Sequence, residues 1–142
     1  FNGTKLKIKK DAPLKNMQEQ FNAVYPYLKI EFFRKAHSEN ELSPTDEKID
    51  PGTIAGRLPD FKKEGTINIS GQRTVAQMET DFREIAGLFV QVFRKAGSLW
   101  IGTSRTDGWT LRKQNEEGRV SGLPANGRTF SEKLADRHID AD

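Results

Sequence analysis

The sequence predicts an α+β fold in which two β-α-β units pack as a ferredoxin-like two-layer sandwich. The first observation behind this prediction is an internal repeat: residues 5–36 resemble residues 66–96, and both segments end in Phe-Arg-Lys-Ala. The second is the order of hydrophobic periods in each copy, where a strand-like period is followed by a helical period and then by another strand-like period. Two copies are too few for a solenoid. We therefore expect one duplicated domain with a pseudo-twofold axis.

Each copy begins with a short strand and continues into an amphipathic helix. The first helix is predicted to begin near Pro13, because proline is favoured in the first helical turn. The second is predicted to begin after Thr74, which is a suitable N-cap residue. The two apolar stripes at helical spacing are Leu14, Met17, Phe21 and Val24 in the first copy, and Val75, Met78, Phe82 and Ile85 in the second. Pro26 and Gly87 are expected to end these helices.

A second strand follows each helix, at residues 28–35 and 88–95. In the second copy, Ala96 and Gly97 are expected to form a two-residue turn into a return strand at 99–104, which would place Phe93 opposite Trp100. A short helix at 110–117 is expected to end at Gly118. These elements form the extra C-terminal hairpin strand and helix of the predicted sandwich.

The predicted domain covers residues 1–118 and includes a polar connector at 37–65 between the copies. Residues 119–142 are rich in Gly, Ser and Pro at their start and are interpreted as a flexible linker. Thr129 and Glu132 form a capping-box pattern after the linker. A short docking helix is therefore expected near the C-terminus, although such a helix is marginal unless it packs on a surface.

Composition removes several classes of chemistry. The 142 residues contain no cysteine, which excludes disulfides, cysteine metal sites and thiol catalysis. The two histidines, His37 and His138, are far apart in polar segments, so no metal and no cofactor is predicted. No paired-carboxylate or phosphate-loop motif is present, and the sequence favours a non-enzymatic role. No apolar run is long enough to span a membrane, and the lack of cysteine suggests a cytoplasmic location.

Charge is distributed unevenly along the chain. The net charge is +3, but residues 1–36 hold eight Lys or Arg against three Asp or Glu, while residues 37–65 hold four against seven. This asymmetry predicts either a basic binding face on the first copy or neutralisation of one segment by the other.

Strand periodicity assigns aromatic and basic side chains to a common face. Ile30, Phe32, Val90 and Val92 alternate with them and are expected to face the helices. The opposite face is then predicted to carry the candidate binding residues Lys7, Lys29, Phe33, Lys35, Phe93, Lys95 and Trp100. The same residues could instead lie beneath the connector or the C-terminal segment, and the sequence leaves this alternative open.

Three functions compete for this face. Aromatic clusters at surfaces usually mark interfaces, so the favoured function is an interaction module that binds a protein partner or a second copy. The alternative is a single-stranded nucleic-acid-binding domain, because aromatic rings among lysines can stack bases and neutralise phosphates. The RNA-binding sequence motif of such domains is absent. An enzyme of unknown class is the third alternative.

Residues 90–119 resemble part of a family of small bacterial proteins of the Bacteroidetes type that has no established activity. The resemblance is carried by Val92-Phe93-Arg94-Lys95, Gly97, Leu99-Trp100, Thr106-Asp107, Trp109-Thr110-Leu111 and Gln114-Asn115. It implies a bacterial cytoplasmic protein and implies nothing about mechanism.

Overall fold

The computed structural model describes residues 4–34 and 47–124, which form an α+β fold as predicted. The strands are β1 (Lys5–Ile8), β2 (Leu28–Phe33), β3 (Gly65–Asn68), β4 (Phe89–Ala96) and β5 (Leu99–Gly102). The α-helices are α1 (Leu14–Val24), α2 (Val75–Asp81) and α3 (Leu111–Ser121). Short 3₁₀ turns lie at Ala55–Arg57 and Ser104–Thr106. Lys35, part of the connector and the predicted C-terminal docking helix lie outside the described residues.

The strands form two antiparallel sheets among the described residues, not the single sheet of a ferredoxin-like sandwich. β1 pairs with β3, while β2, β4 and β5 form a second sheet in that order. The ferredoxin-like arrangement is therefore not confirmed. Side-chain amides of α1 occupy the edges where further strands would have to join. Gln20 bonds both the N–H and the C=O of Lys7, and Gln18 and Asn22 donate to the carbonyls of Ile30 and Leu28.

Both long helices begin where the sequence predicts. Pro13 precedes α1, and Thr74 caps α2 in a capping box with Gln77. α2 continues through a π-helical turn at Phe82–Ala86 and ends at Gly87, whose φ is 69°. The first three apolar positions of each predicted stripe are buried and the last ones, Val24 and Ile85, are partly buried; they pack with residues of both sheets into one hydrophobic core. Among the described residues, no helix has the length and apolarity needed to cross a membrane.

α3 is longer than the sequence predicts. It runs through Gly118, which was expected to end it, and its last residue is Ser121. A Cβ added at Gly118 would lie 2.8 Å from the Cβ of Tyr27. Glycine is therefore needed at this position for close packing of the helix on the turn before β2. The first residues of the predicted linker belong to α3.

The β4–β5 hairpin turns at Gly97 and Ser98, so its register differs from the predicted one by two residues. Gly97 has a φ of 63°, and Ala96 pairs with Leu99. Lys95 is consequently opposite Trp100, whereas Phe93 is opposite Gly102. Because the shift is even, Phe93 and Trp100 still lie on the same face of the sheet.

The ladder registers relate the two predicted copies symmetrically. Leu6 is opposite Ile67, and Glu31 is opposite Gln91; in each pair the two residues are equivalent in the sequence repeat. Each pairing therefore has a local twofold axis at its centre.

The symmetry continues in the segments that follow β2 and β5. Ile49 donates to the Phe32 carbonyl, as Thr103 does to the Val92 carbonyl. Three further backbone hydrogen bonds near the start of α1 have a counterpart near the start of α2, each from an N–H to a carbonyl. Leu14 to Thr53 corresponds to Val75 to Trp109, Lys15 to Pro51 corresponds to Ala76 to Asp107, and Ala55 to Ala12 corresponds to Leu111 to Arg73. The repeat found in the sequence stops at Ala36 and Ala96, so it does not include this correspondence.

Candidate interaction surface

Four of the predicted binding residues lie together on the outer face of the β2–β4–β5 sheet. They are Lys29, Phe93, Lys95 and Trp100, and we call this group the aromatic–lysine surface. Lys29 pairs directly with Phe93 across β2 and β4, and Lys95 pairs directly with Trp100 across β4 and β5. Directly opposed residues in an antiparallel ladder point to the same face, so the strand register itself brings the four side chains together.

The lysine amino groups lie over the aromatic rings. The Nζ atom of Lys29 is 5.7 Å from the Phe93 ring centroid and 5.1 Å from that of Trp100, while Lys95 Nζ is 4.8 Å from the Trp100 centroid. Such cation–π contacts contribute about 0.5–1 kcal/mol each at exposed sites. All four residues are partly exposed. The four side chains are therefore positioned by cation–π contacts and remain accessible to solvent.

Two other predicted residues that the structure describes do not join this surface. Phe33 has the predicted facing but is only 3% exposed, because it lies at the far end of β2 against Phe89 and the Lys48 segment. Lys7 is exposed, but β1 belongs to the other sheet. Lys35 lies outside the described residues. The predicted single face is thus correct for β2, β4 and β5 and wrong for β1.

A buried polar pair separates Phe33 from the aromatic–lysine surface. The Glu31 carboxylate lies 3.1 Å from Lys29 Nζ and 3.2 Å from Lys48 Nζ, and it accepts a hydrogen bond from Gln18. Opposite Glu31 is Gln91, which is 1% exposed and whose side-chain carbonyl oxygen has no hydrogen-bond donor among the described residues. A buried acceptor without a donor costs about 1–3 kcal/mol. Lys48 and Gln18 contact the Glu31 carboxylate, and the strand pattern could not predict these contacts.

A shallow groove adjoins the surface between α1 and β2. It has a volume of about 420 Å³, and its lining includes Lys15, Glu19, Lys48, Pro51 and Trp100. Trp100 and Lys29 border both the groove and the aromatic–lysine surface. The groove therefore extends the accessible area beyond the two rings.

β5 leaves an open sheet edge beside these rings. Thr103 donates its backbone N–H to the Val92 carbonyl. Because hydrogen-bonded and non-hydrogen-bonded residue pairs alternate along an antiparallel hairpin, this bond shows which pairs of β4 and β5 are hydrogen-bonded. By that alternation, Trp100 and Gly102 direct their backbone groups away from β4. No strand pairs with this side of β5 in residues 4–34 and 47–124. An edge of this kind offers N–H donors and C=O acceptors to an incoming strand.

The opposite face of β4 carries a buried guanidinium that sequence reasoning missed. Arg94 is fully buried, donates to the Gln114 side chain at 2.7 Å, and lies 5.4 Å from the ring centroid of Trp109. Burial lowers the pKa of Arg94, and the Glu117 carboxylate partly offsets this effect. Lys113 lies over the same Trp109 ring at 4.1 Å. Because side chains alternate along a strand, Arg94 lies on the same face of β4 as Val90 and Val92. This alternation is the sequence signal that could have predicted its burial.

A small apolar cavity lies at the other end of the sheet. Its volume is about 190 Å³, and Phe33, Phe89, Leu58 and Ile49 contribute to its lining. The described residues contain no group of three or more His, Asp or Glu side chains that could hold a metal ion.

Comparison with known proteins adds no assignment to this geometry. No protein-family model matches the chain, and no similar protein was found among curated proteins or among solved structures.

Proposed function

We propose that this protein is a non-enzymatic interaction module that binds an extended protein segment, from a partner or from a second copy, along β5. The observation that carries the proposal is the open β5 edge beside the aromatic–lysine surface. Addition of a strand to such an edge gives affinity through main-chain hydrogen bonds and specificity through side-chain contacts. Trp100 would supply both, because it belongs to the edge and to the surface.

The geometry favours a protein segment over single-stranded nucleic acid on this surface. Stacking of bases would require the Lys29 and Lys95 amino groups to leave the aromatic rings that they cover. The Glu31 carboxylate already pairs with Lys29, so Lys29 has less charge to offer to a phosphate backbone. A strand, in contrast, can bond the β5 edge while the lysines stay in place.

We also infer that residues 5–57 and 66–113 descend from one duplicated unit. The support is the symmetric register of Leu6 with Ile67 and of Glu31 with Gln91, together with the matched hydrogen bonds around the two helices. In this interpretation β5 corresponds to the segment around Lys48, which lies along the outer edge of β2. Function would then have been added to the copy whose edge stayed open.

Strand binding can be tested by selecting ligands from a library of extended peptides and measuring affinity for the full chain. We expect Trp100→Ala to weaken a selected peptide roughly 30-fold, as a hot-spot truncation of about 2 kcal/mol would. Leu99→Ala is the matched control, because Leu99 is 68% exposed on the same strand but faces away from the aromatic–lysine surface. Equal losses for the two variants would contradict the proposed surface.

Self-association is tested separately by the mass of the full chain over a range of concentrations. If the partner is a second copy, the mass rises with concentration, and Trp100→Pro abolishes the rise because it removes the outward N–H donor. A constant monomer mass together with no strand-binding peptide would refute the proposed function. A constant mass with peptide binding would leave a foreign protein as the partner.

A further inference from the structure

Lys7, which the sequence groups with the aromatic residues, belongs instead to a separate basic surface. Lys5 and Lys7 alternate with the buried Leu6 and Ile8 along β1, and Lys9 follows at the end of the strand. All three lysines are exposed. We call Lys5, Lys7 and Lys9 the basic face, and it lies on the two-stranded sheet that the proposed interaction surface does not use.

The residues opposite the basic face carry no charge. Lys5 is paired with Asn68, and Lys7 is paired with Thr66. In the described part of the chain, none of the three lysines forms a salt bridge or a side-chain hydrogen bond with a carboxylate. Within an antiparallel strand, every second residue is about 7 Å further along the same face. The lysines therefore form a row of three positive charges without a salt bridge in the described residues.

Two acidic groups near the ends of this row, Asp81 and Glu64, make other contacts, and Asp11 is exposed two residues after Lys9. Asp81 is 2.5 Å from the Arg73 guanidinium, which also donates to the Asn68 carbonyl at the Lys5 end. At the other end, Glu64 accepts a hydrogen bond from the Lys10 backbone N–H at 2.9 Å. Glu64 reduces the positive potential near Lys9 but does not pair with a lysine side chain. The three lysine side chains thus remain without a salt bridge in the described residues.

We propose that the basic face binds the phosphate backbone of a single-stranded nucleic acid. A linear row of lysines with polar neighbours matches an extended polyanion in charge and in shape. Among the described residues, this face has no exposed large apolar side chain to enter a lipid bilayer, because the two that are exposed, Tyr27 and Leu99, lie elsewhere. This chemistry favours nucleic acid over an anionic membrane.

The proposal is tested by fluorescence anisotropy with a labelled oligothymidylate and the full chain, over a series of salt concentrations. The triple variant Lys5→Gln, Lys7→Gln, Lys9→Gln should flatten the slope of log K against log salt by about 2, since each neutralised phosphate contributes about 0.7 for a single strand. The matched control is Lys29→Gln, Lys48→Gln, Lys95→Gln, which removes the same charge from the other sheet. This control should change the slope by less than half as much.

A second variant is expected to strengthen binding instead of weakening it. Glu64→Gln removes the carboxylate beside Lys10 and should tighten oligothymidylate binding several-fold. Equal slope changes in the two triple variants would overturn the proposal, because binding would then follow total charge and not position. Absence of binding at low salt, or binding of phosphatidylserine vesicles without binding of oligothymidylate, would also overturn it. Circular dichroism melting confirms that each variant is folded.

Discussion

Gly87 provides a sharp test of how α2 is joined to the segment before β3. Its φ of 69° is left-handed, and a Cβ built there would lie 1.8 Å from the Asp60 carbonyl oxygen. Gly97 has a similar φ of 63° but has no atom within 4 Å of its added Cβ. Alanine at either position incurs the left-handed strain, roughly 1–2 kcal/mol. Only alanine at Gly87 also collides with backbone.

The difference between the two alanine variants isolates the collision. Relief of a 1.8 Å contact requires residues 60–62 to move, which breaks the hydrogen bond from Lys62 N to the Ala86 carbonyl. The lost bond and the displaced packing add about 2–4 kcal/mol. We expect the free energy of unfolding, from urea titration, to fall by about 3–6 kcal/mol for Gly87→Ala and by about 1–2 kcal/mol for Gly97→Ala. Losses within about 0.5 kcal/mol of each other would refute the docking of this segment on the end of α2.

Three further predictions concern buried polar groups and close packing. Burial raises the pKa of Tyr25 above its ordinary value near 10, and its hydroxyl donates to the Ile69 carbonyl at 2.5 Å. The stability that this hydroxyl contributes is complete below about pH 10 and is lost as the pH rises above that value. Tyr25→Phe should lower the free energy of unfolding by about 1 kcal/mol at neutral pH, and the variant should lose less stability at alkaline pH than the unchanged chain. An equal loss of stability at alkaline pH in both proteins would contradict this assignment. Gln91→Met removes a buried acceptor without a donor and should raise the free energy of unfolding by about 1 kcal/mol, whereas a clear decrease would mean that the carbonyl is bonded. Gly118→Ala should lower it by about 1–3 kcal/mol despite the better helix propensity; the exposed Gly108→Ala, with nothing within 4 Å, should be close to neutral, and equal effects would contradict the tight packing of α3.

The helices could be predicted because their signals are local. The buried stripe of α1 and the Thr74 cap follow from spacing over a few residues, and the structure confirms both. The end of α3 could not be predicted in this way. Gly118 is a typical helix terminator in sequence, but here it permits close approach to Tyr27, which is distant along the chain. Contacts of this kind override local preference.

The alternation of residues along each strand predicted which face of the sheet each side chain occupies, but it did not predict which segments lie beside that strand. Phe33 and Phe93 have the same local pattern, and both have the predicted facing. Only Phe93 lies at an accessible position, because the Lys48 segment and Phe89 enclose Phe33. Likewise, nothing in the spacing of Lys7 reveals that β1 and β2 belong to different sheets, since sheet membership depends on nonlocal pairing. This is why four of the six candidate residues that the structure describes lie together, while Phe33 and Lys7 do not join them.

The central claim is that β5 has an open edge to which a protein strand can be added. Amide hydrogen exchange of the full chain, resolved by residue, tests it most directly. We predict rapid exchange for the N–H groups of Trp100 and Gly102 in the isolated monomer, slow exchange for Ile101, and strong protection of Trp100 and Gly102 once a strand ligand is bound. Slow exchange of Trp100 and Gly102 in the monomer itself would show that the edge is already occupied, and would contradict the proposed function.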